Sequence, residues 1–163
     1  GFLSSLAREQ ISYAVKAIAK KEYVVEDRSV IALQKPNDLF PEWNFAINEF
    51  SVIKKDSSSM ITVDTFIDGE YLNSYWADGL LVSTPTGSTA YNLSCGGPIL
   101  SPQSKSIVIT PISPHNLNIR PIVIPDSSEI KLKITGRDDS FLLSLDSRNK
   151  AYSSQEKPIF HSN

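Results

Sequence analysis

Asp78-Gly79-Leu80-Leu81-Val82-Ser83-Thr84-Pro85-Thr86-Gly87-Ser88-Thr89-Ala90-Tyr91 is the stretch on which the reading of this 163-residue chain turns. It opens as a short apolar run with the look of a buried strand. A turn dense in hydroxyls follows. A short helix is expected over Ser88 to Cys95, capped by Ser88 and stopped by Gly96-Gly97. The free N–H groups at such a helix start favour anions and hydroxyl-rich ligands. Thr84, Thr86, Ser88 and Thr89 add donors and acceptors, Tyr91 adds a ring, and Gly87 lets backbone approach closely. A nucleotide or dinucleotide suits this equipment. The bland alternative is a capped turn whose hydroxyls satisfy their own backbone. No Gly-Lys-Ser/Thr follows, so this is not a P-loop, and no Gly-x-Gly-x-x-Gly fingerprint is present.

On either side, the periodicity is mostly that of strands. Asp68-Gly69 between Met60–Ile67 and Tyr71–Trp76 is a strong hairpin signal. Tyr23-Val24-Val25 and Val30–Leu33 flank a polar run and predict a strand–turn–strand unit. Residues 43–53 predict one strand, with Trp43, Phe45 and Ile47 on one face. Further apolar runs are Leu80–Val82, Ile107–Ile109, Ile122–Ile124, Ile130–Ile134 and Phe141–Leu145. Asp138-Asp139 reads as a polar hairpin tip, and the loop from Lys54 to Ser59 as polar and mobile. Residues 3–19 differ: Leu3, Leu6, Ala7, Ile11, Ala14, Val15 and Ile18 have helical spacing, with Ser4 or Ser5 as N-cap and Lys20-Lys21 at the end. The fold class expected is mainly β, a sandwich-like pair of layered sheets of about ten strands, with an N-terminal helix and one short internal helix.

Composition narrows the function classes. Apolar residues make up 40% and charged residues 21%, enough to bury a core. A formal net charge of −2, from 16 basic and 18 acidic side chains, argues against a broad nucleic-acid surface or membrane attraction. The single cysteine, Cys95, excludes an internal disulfide framework and suits a reducing, cytoplasmic compartment. It reads as a small filler at a helix end. The two histidines, His115 and His161, lack companions at zinc-ligand spacing, so no metal site is expected within the chain. A hydrolase built from Ser88, His115 and Asp78 lacks a nucleophile-elbow motif. The chain opens at Gly1-Phe2-Leu3 and its only methionine is Met60, which suggests processing or a piece of a longer protein.

The string from Ser83 to Tyr91, preceded by Asp78-Gly79, resembles the signature of the NAD kinases. Other segments resemble that family in the same order. They are Asn48-Glu49, Gly96-Gly97-Pro98-Ile99-Leu100, Pro114-His115-Asn116-Leu117 with Arg120-Pro121, and Leu145-Asp146-Ser147-Arg148. The opening Gly-Phe-Leu is similar to a run that precedes the family's second domain. The resemblance covers nearly the whole chain. It implies phosphoryl transfer from ATP, or in some members polyphosphate, to the 2′-hydroxyl of the adenosine ribose of NAD, usually with Mg²⁺. It also implies that residues 1–22 are a linking helix after an N-terminal α/β domain, and 23–163 a β-rich NAD-binding domain. The family's Gly-Gly-Asp-Gly-Thr motif, with its general-base aspartate, is absent from this chain. No catalytic residue is therefore expected here, and the isolated chain should be inactive or nearly so.

By resemblance, Asn48 and Glu49 hold the ribose and adenine side of NAD. Asp78 grips the nicotinamide amide, often from a neighbouring subunit, and Thr89, Ala90 and Tyr91 line the cleft. Ser94 is a weaker candidate on the face of Tyr91. Trp76 stands where many members carry Arg or Lys, Ser59 where others have His or Arg, and Arg148 where Gln is frequent. The bland reading for Glu49 is an ion pair with Lys54, and for Asp78 a turn residue. Homodimers or homotetramers are implied. The alternatives are a diacylglycerol- or sphingosine-type lipid kinase, which lacks the Ser83–Tyr91 string, and a non-catalytic NAD-binding or assembly module.

Overall fold

The computed structural model describes residues 3, 6–36, 38–55, 59–137, 140–153 and 159–162, with the side chains of 160–162 excepted. Ser4, Ser5 and Asp138-Asp139, for which a cap and a hairpin tip were expected, lie outside the described residues. Hydrophobic alternation builds two six-stranded sheets, every pairing antiparallel. In chain order the strands are β1 (Ile31–Lys35), β2 (Phe45–Ala46), β3 (Glu49–Lys54), β4 (Ile61–Ile67), β5 (Glu70–Ala77), β6 (Gly79–Ser83), β7 (Ser106–Ile112), β8 (Ile122–Pro125), β9 (Glu129–Thr135), β10 (Ser140–Leu145), β11 (Arg148–Ser153) and β12 (Ile159–Ser162). The first sheet runs β2-β1-β12-β9-β4-β5 and the second β11-β10-β3-β6-β7-β8.

The inward residues of both sheets form one core. Val63, Tyr75, Ile130 and Leu132 come from the first sheet, and Phe50, Val52, Leu80, Val82, Ile107, Ile109 and Leu143 from the second. Asp68 and Gly69 both take positive φ, 50° and 87°, which gives the β4–β5 hairpin the twist its strands need. At Asp78 the chain leaves the edge of the first sheet and enters the middle of the second. There Gly79 is obligatory, since a Cβ would stand 2.3 Å from the carbonyl oxygen of Val52.

Three expectations are corrected. Tyr23-Val24-Val25 is exposed and in no strand; an apolar triplet without a pairing edge has no ladder to join. Residues 43–53 form two strands, broken at Ile47-Asn48, whose N–H groups bond to the Asp146 carboxylate instead of a neighbouring strand. The N-terminal helix begins later than expected, with a 3-10 turn at Arg8–Gln10 and α1 over Ile11–Lys20. It ends on Lys21 in a left-handed conformation, φ 59°. None of its residues is buried.

Candidate functional site

The site lies on the outer face of the second sheet. Side chains alternate along a strand. With Phe50, Val52, Ile107 and Ile109 in the core, Glu49, Ser51 and Thr110 point away from it. The segment from Thr84 to Leu100 covers this face. Asn92 fastens it there: its Oδ1 accepts from Thr110 Oγ1 (2.6 Å), and its Nδ2 donates to the carbonyls of Ser88 (3.0 Å) and Pro98 (3.1 Å). Asn92 is fully buried, and a Cβ on Gly97 would stand 2.0 Å from its Oδ1.

The hydroxyl-rich turn serves mainly its own backbone. The Thr84 N–H donates to the Asn48 carbonyl (2.9 Å). Thr84 Oγ1 donates to the Ile47 carbonyl (2.5 Å) and accepts from the Gly87 N–H (3.1 Å). Ser83 Oγ also reaches the Asn48 carbonyl (3.2 Å). Ser88 Oγ donates to the Pro85 carbonyl (2.6 Å) and accepts from the Leu100 N–H (3.0 Å). Gly87 is pressed on Asn48, whose carbonyl oxygen would lie 2.0 Å from any Cβ there. Of the two readings of this turn, the geometry of Thr84 and Ser88 is that of the capped turn, and Thr84, Thr86 and Ser88 are all buried.

The expected helix is corrected. A 3-10 turn covers Gly87–Thr89, Ala90 breaks it at φ −94° and ψ −129°, and α2 spans only Tyr91–Ser94. Ser88 caps nothing, and so short a helix supplies little dipole. Gly96, at φ 80°, does end it. Of the binding residues expected on this segment, Thr89 is half-buried and Ala90, Tyr91 and Ser94 are exposed.

Beneath this segment sits Glu49. Its Oε2 is buried and has no hydrogen-bond partner. Burial, and then the charge of Asp146, push its carboxyl up to about 7. The expected Lys54 partner is taken: Lys54 Nζ lies 2.6 Å from Asp78 Oδ1. Burial raises the Cys95 thiol, a hydrogen bond from Tyr91 opposes that, and the charge of Glu49 adds to it. Burial likewise raises the Tyr91 phenol, with contributions from Cys95 and then Asp78. One chain thus gathers Asn48, Glu49, Tyr91 and Cys95, with Asp78 within electrostatic reach.

Three expected residues stand apart. Trp76 projects from the outer face of the first sheet and meets the His115 ring at 4.3 Å. Ser59 lines a small crevice with Lys54, Lys55 and Arg137, at the far end of β3 from Glu49. Arg148 spends its guanidinium on the carbonyls of Leu145 (3.2 Å), Trp43 (2.6 Å) and Phe45. Beside it opens a cavity of about 270 Å³ lined by Phe40, Pro41, Glu42, Trp43, Arg148 and Lys150. Sequence reasoning passed over Asn92, since one asparagine between Tyr91 and Leu93 carries no pattern. It also passed over the Lys54–Asp78 pair, whose partners are far apart in sequence.

The family model for the ATP-NAD kinase C-terminal domain matches residues 47–160. The chain is 55% identical over 157 residues to an NAD kinase of Cytophaga hutchinsonii, covering 96% of this chain and 54% of that protein. It is 55% identical over 150 residues to an NAD kinase of Flavobacterium johnsoniae, covering 91% and 51%. The chain thus spans about half the length of the curated relatives it matches. The crystal structure of yeast NADH kinase complexed with NADH superposes with a TM-score of 0.83 at 31% identity, over 99% of this chain and 47% of that one. An Archaeoglobus fulgidus NAD kinase in complex with ATP gives the same TM-score at 23% identity, a likeness of fold.

Proposed function

The chain belongs to the NAD kinase family, as its C-terminal domain, and we propose that it is the NAD-binding half of an enzyme that phosphorylates NAD to NADP. In that reaction the 2′-oxygen of the adenosine ribose attacks the terminal phosphorus of ATP, ADP leaves, and the hydroxyl proton passes to a base. This chain's share is to bind and orient the ribose. The base would be an aspartate of the companion α/β domain.

The observation that carries this reading is the buried, partnerless oxygen of Glu49 next to Asn48. A buried carboxylate oxygen lacking a donor is a standing cost, and ribose hydroxyls are donors of the right kind. Asn48 can both donate to and accept from such hydroxyls. Thr89, Ala90 and Tyr91 form the accessible rim above. Ser94 follows on the same exposed surface. Asp78, held by Lys54, would take the nicotinamide amide, reaching across a subunit boundary in a homodimer or homotetramer. Trp76 would offer a stacking face in that neighbouring site, and Ser59 a hydroxyl. Arg148 would act by holding the floor under Asn48.

Among the described residues, no three His, Cys, Asp or Glu side chains converge as a metal site. The residues present do not fit a resident cation, and Mg²⁺ would arrive with the ATP phosphates. No described helix is long and apolar enough to cross a membrane. The single cysteine suits a reducing compartment, and on that ground we place the enzyme in the cytoplasm. The test is ATP-dependent NADP formation by the full-length protein in a coupled assay. NADP formation that is lost on Glu49→Ala is expected. A protein that makes no NADP, or that phosphorylates a lipid instead, would refute the proposal.

A further inference from the structure

The hairpin between β10 and β11 turns on Asp146 and Ser147, with Leu145 paired to Arg148. Asp146 has a left-handed backbone, φ 52°. Glycine takes that conformation freely, and a side chain there costs strain. Aspartate is tolerated in such turns, as Asp68 shows at φ 50°. The aspartate contributes a carboxylate aimed back at the second sheet. Its Oδ1 accepts from the N–H groups of Asn48 (2.8 Å) and Glu49 (3.3 Å), and its Oδ2 from that of Ile47 (3.1 Å). Three successive backbone donors thus converge on one anion, the arrangement of an anion-binding nest.

The turn is itself secured. The Asp146 N–H donates to the Glu49 carbonyl (2.9 Å), and Ser144 Oγ donates to the Asp146 carbonyl (2.6 Å). The Arg148 guanidinium stands 3.9 Å from Oδ2. On their other side, the carbonyls of Ile47 and Asn48 are taken by Thr84 and Ser83. Ile47 and Asn48, between β2 and β3, are therefore fixed through both their donors and their acceptors outside any regular ladder, and Glu49 opens β3 beside Ser83. Hydrogen bonds to an ionised acceptor are about twice as strong as neutral ones, so the carboxylate dominates this arrangement.

We infer that Asp146 is a positioning residue for the NAD site, holding Asn48 and Glu49 in the backbone conformation that presents their side chains while touching no ligand itself. The inference rests on the reading of Asn48 and Glu49 as ribose-binding groups. It accounts for three backbone donors converging on the Asp146 carboxylate, and it assigns a task to a residue with no side-chain chemistry of its own in the reaction.

The test compares Asp146→Gly and Asp146→Asn in the full-length protein. Asp146→Gly removes the carboxylate and relieves the left-handed strain, so the fold should persist. Its KM for NAD is expected to rise about tenfold or more, while that for ATP changes less than about twofold. Asp146→Asn retains one accepting oxygen and should rescue part of the loss, leaving a rise of roughly three- to fivefold. A folded Asp146→Gly protein with unaltered KM for NAD would overturn the inference and leave the NAD reading standing. Equal losses toward NAD and ATP would also overturn it, by reducing Asp146 to general support. If Asp146→Gly fails to fold, the same NAD-against-ATP split in Asp146→Asn decides. An unaltered protein that does not bind NAD would overturn the NAD reading itself, and this inference with it.

Discussion

Glu49 holds a charge poorly in its place. Its carboxyl is pushed up from 4.5 to about 7, by burial first and by Asp146 second. The group facing it from just beyond α2 is Cys95, whose thiol offers no positive charge. Between pH 4.5 and about 7 the folded chain therefore keeps a proton that the unfolded chain has lost. Stability from this group is full below pH 4.5, declines as pH climbs through that window, and is gone above about 7. Glu49→Gln carries no such penalty. It is expected to match the parent near pH 4 and to exceed it by about 1 to 2 kcal/mol at pH 8, after allowance for solvent screening. Urea unfolding at both pH values checks this, and equal stability at pH 8 would contradict it. Ligand binding should show the opposite slope. Affinity for NAD should rise with pH through about 7 in the parent and stay flat in Glu49→Gln. At this scale the family resemblance singled out Asn48-Glu49, while the carboxylate that holds their backbone, Asp146, lies too far along the chain to be linked to them from sequence. The sequence left two readings open at Thr84, Thr86 and Ser88, because a hydroxyl reads the same whether it faces a ligand or its own backbone.

Among the elements, the segment from Thr84 to Leu100 matters most, since it roofs the outer face of the second sheet on one central pin. Asn92 has both its acceptor and its amide donors engaged and is fully buried. Truncation to alanine strands the Thr110 hydroxyl and the Ser88 carbonyl away from water. The cost expected of Asn92→Ala is about 2 to 4 kcal/mol. Gly97→Ala should act through the same residue, because its new Cβ falls on the Asn92 amide. Denaturant midpoints measure both, and a loss below about 0.5 kcal/mol in either would contradict the pin. Legibility at this scale follows burial. β4, β6, β7, β9 and β10 announce themselves by alternation or by apolar runs. β11 escapes notice because Arg148–Ser153 has a single buried side chain, Tyr152, and reads as polar. The break at Ile47-Asn48 is invisible in sequence, since its causes, Asp146 and Thr84, lie far along the chain.

Across the whole molecule, the packing places all of the described core between the two sheets and none of it under α1. The helix was legible from its spacing, but its partner was not, because an apolar stripe states only that something covers it. Leu6, Ile11, Val15 and Ile18 are all more than half exposed. A ten-residue helix without tertiary packing is marginal on its own. It therefore adds little to the cohesion of the sandwich, and the first strand begins only at Ile31. Deleting residues 1–21 should leave the unfolding free energy of this chain within about 1 kcal/mol of its value. Trp43 and Trp76 both lie outside the deleted stretch, so fluorescence in urea follows the sandwich in both proteins. A loss of more than about 2 kcal/mol would mean that the helix buries its stripe against the sheets in solution. An unchanged midpoint would leave that apolar face available to cover something other than the β-sandwich.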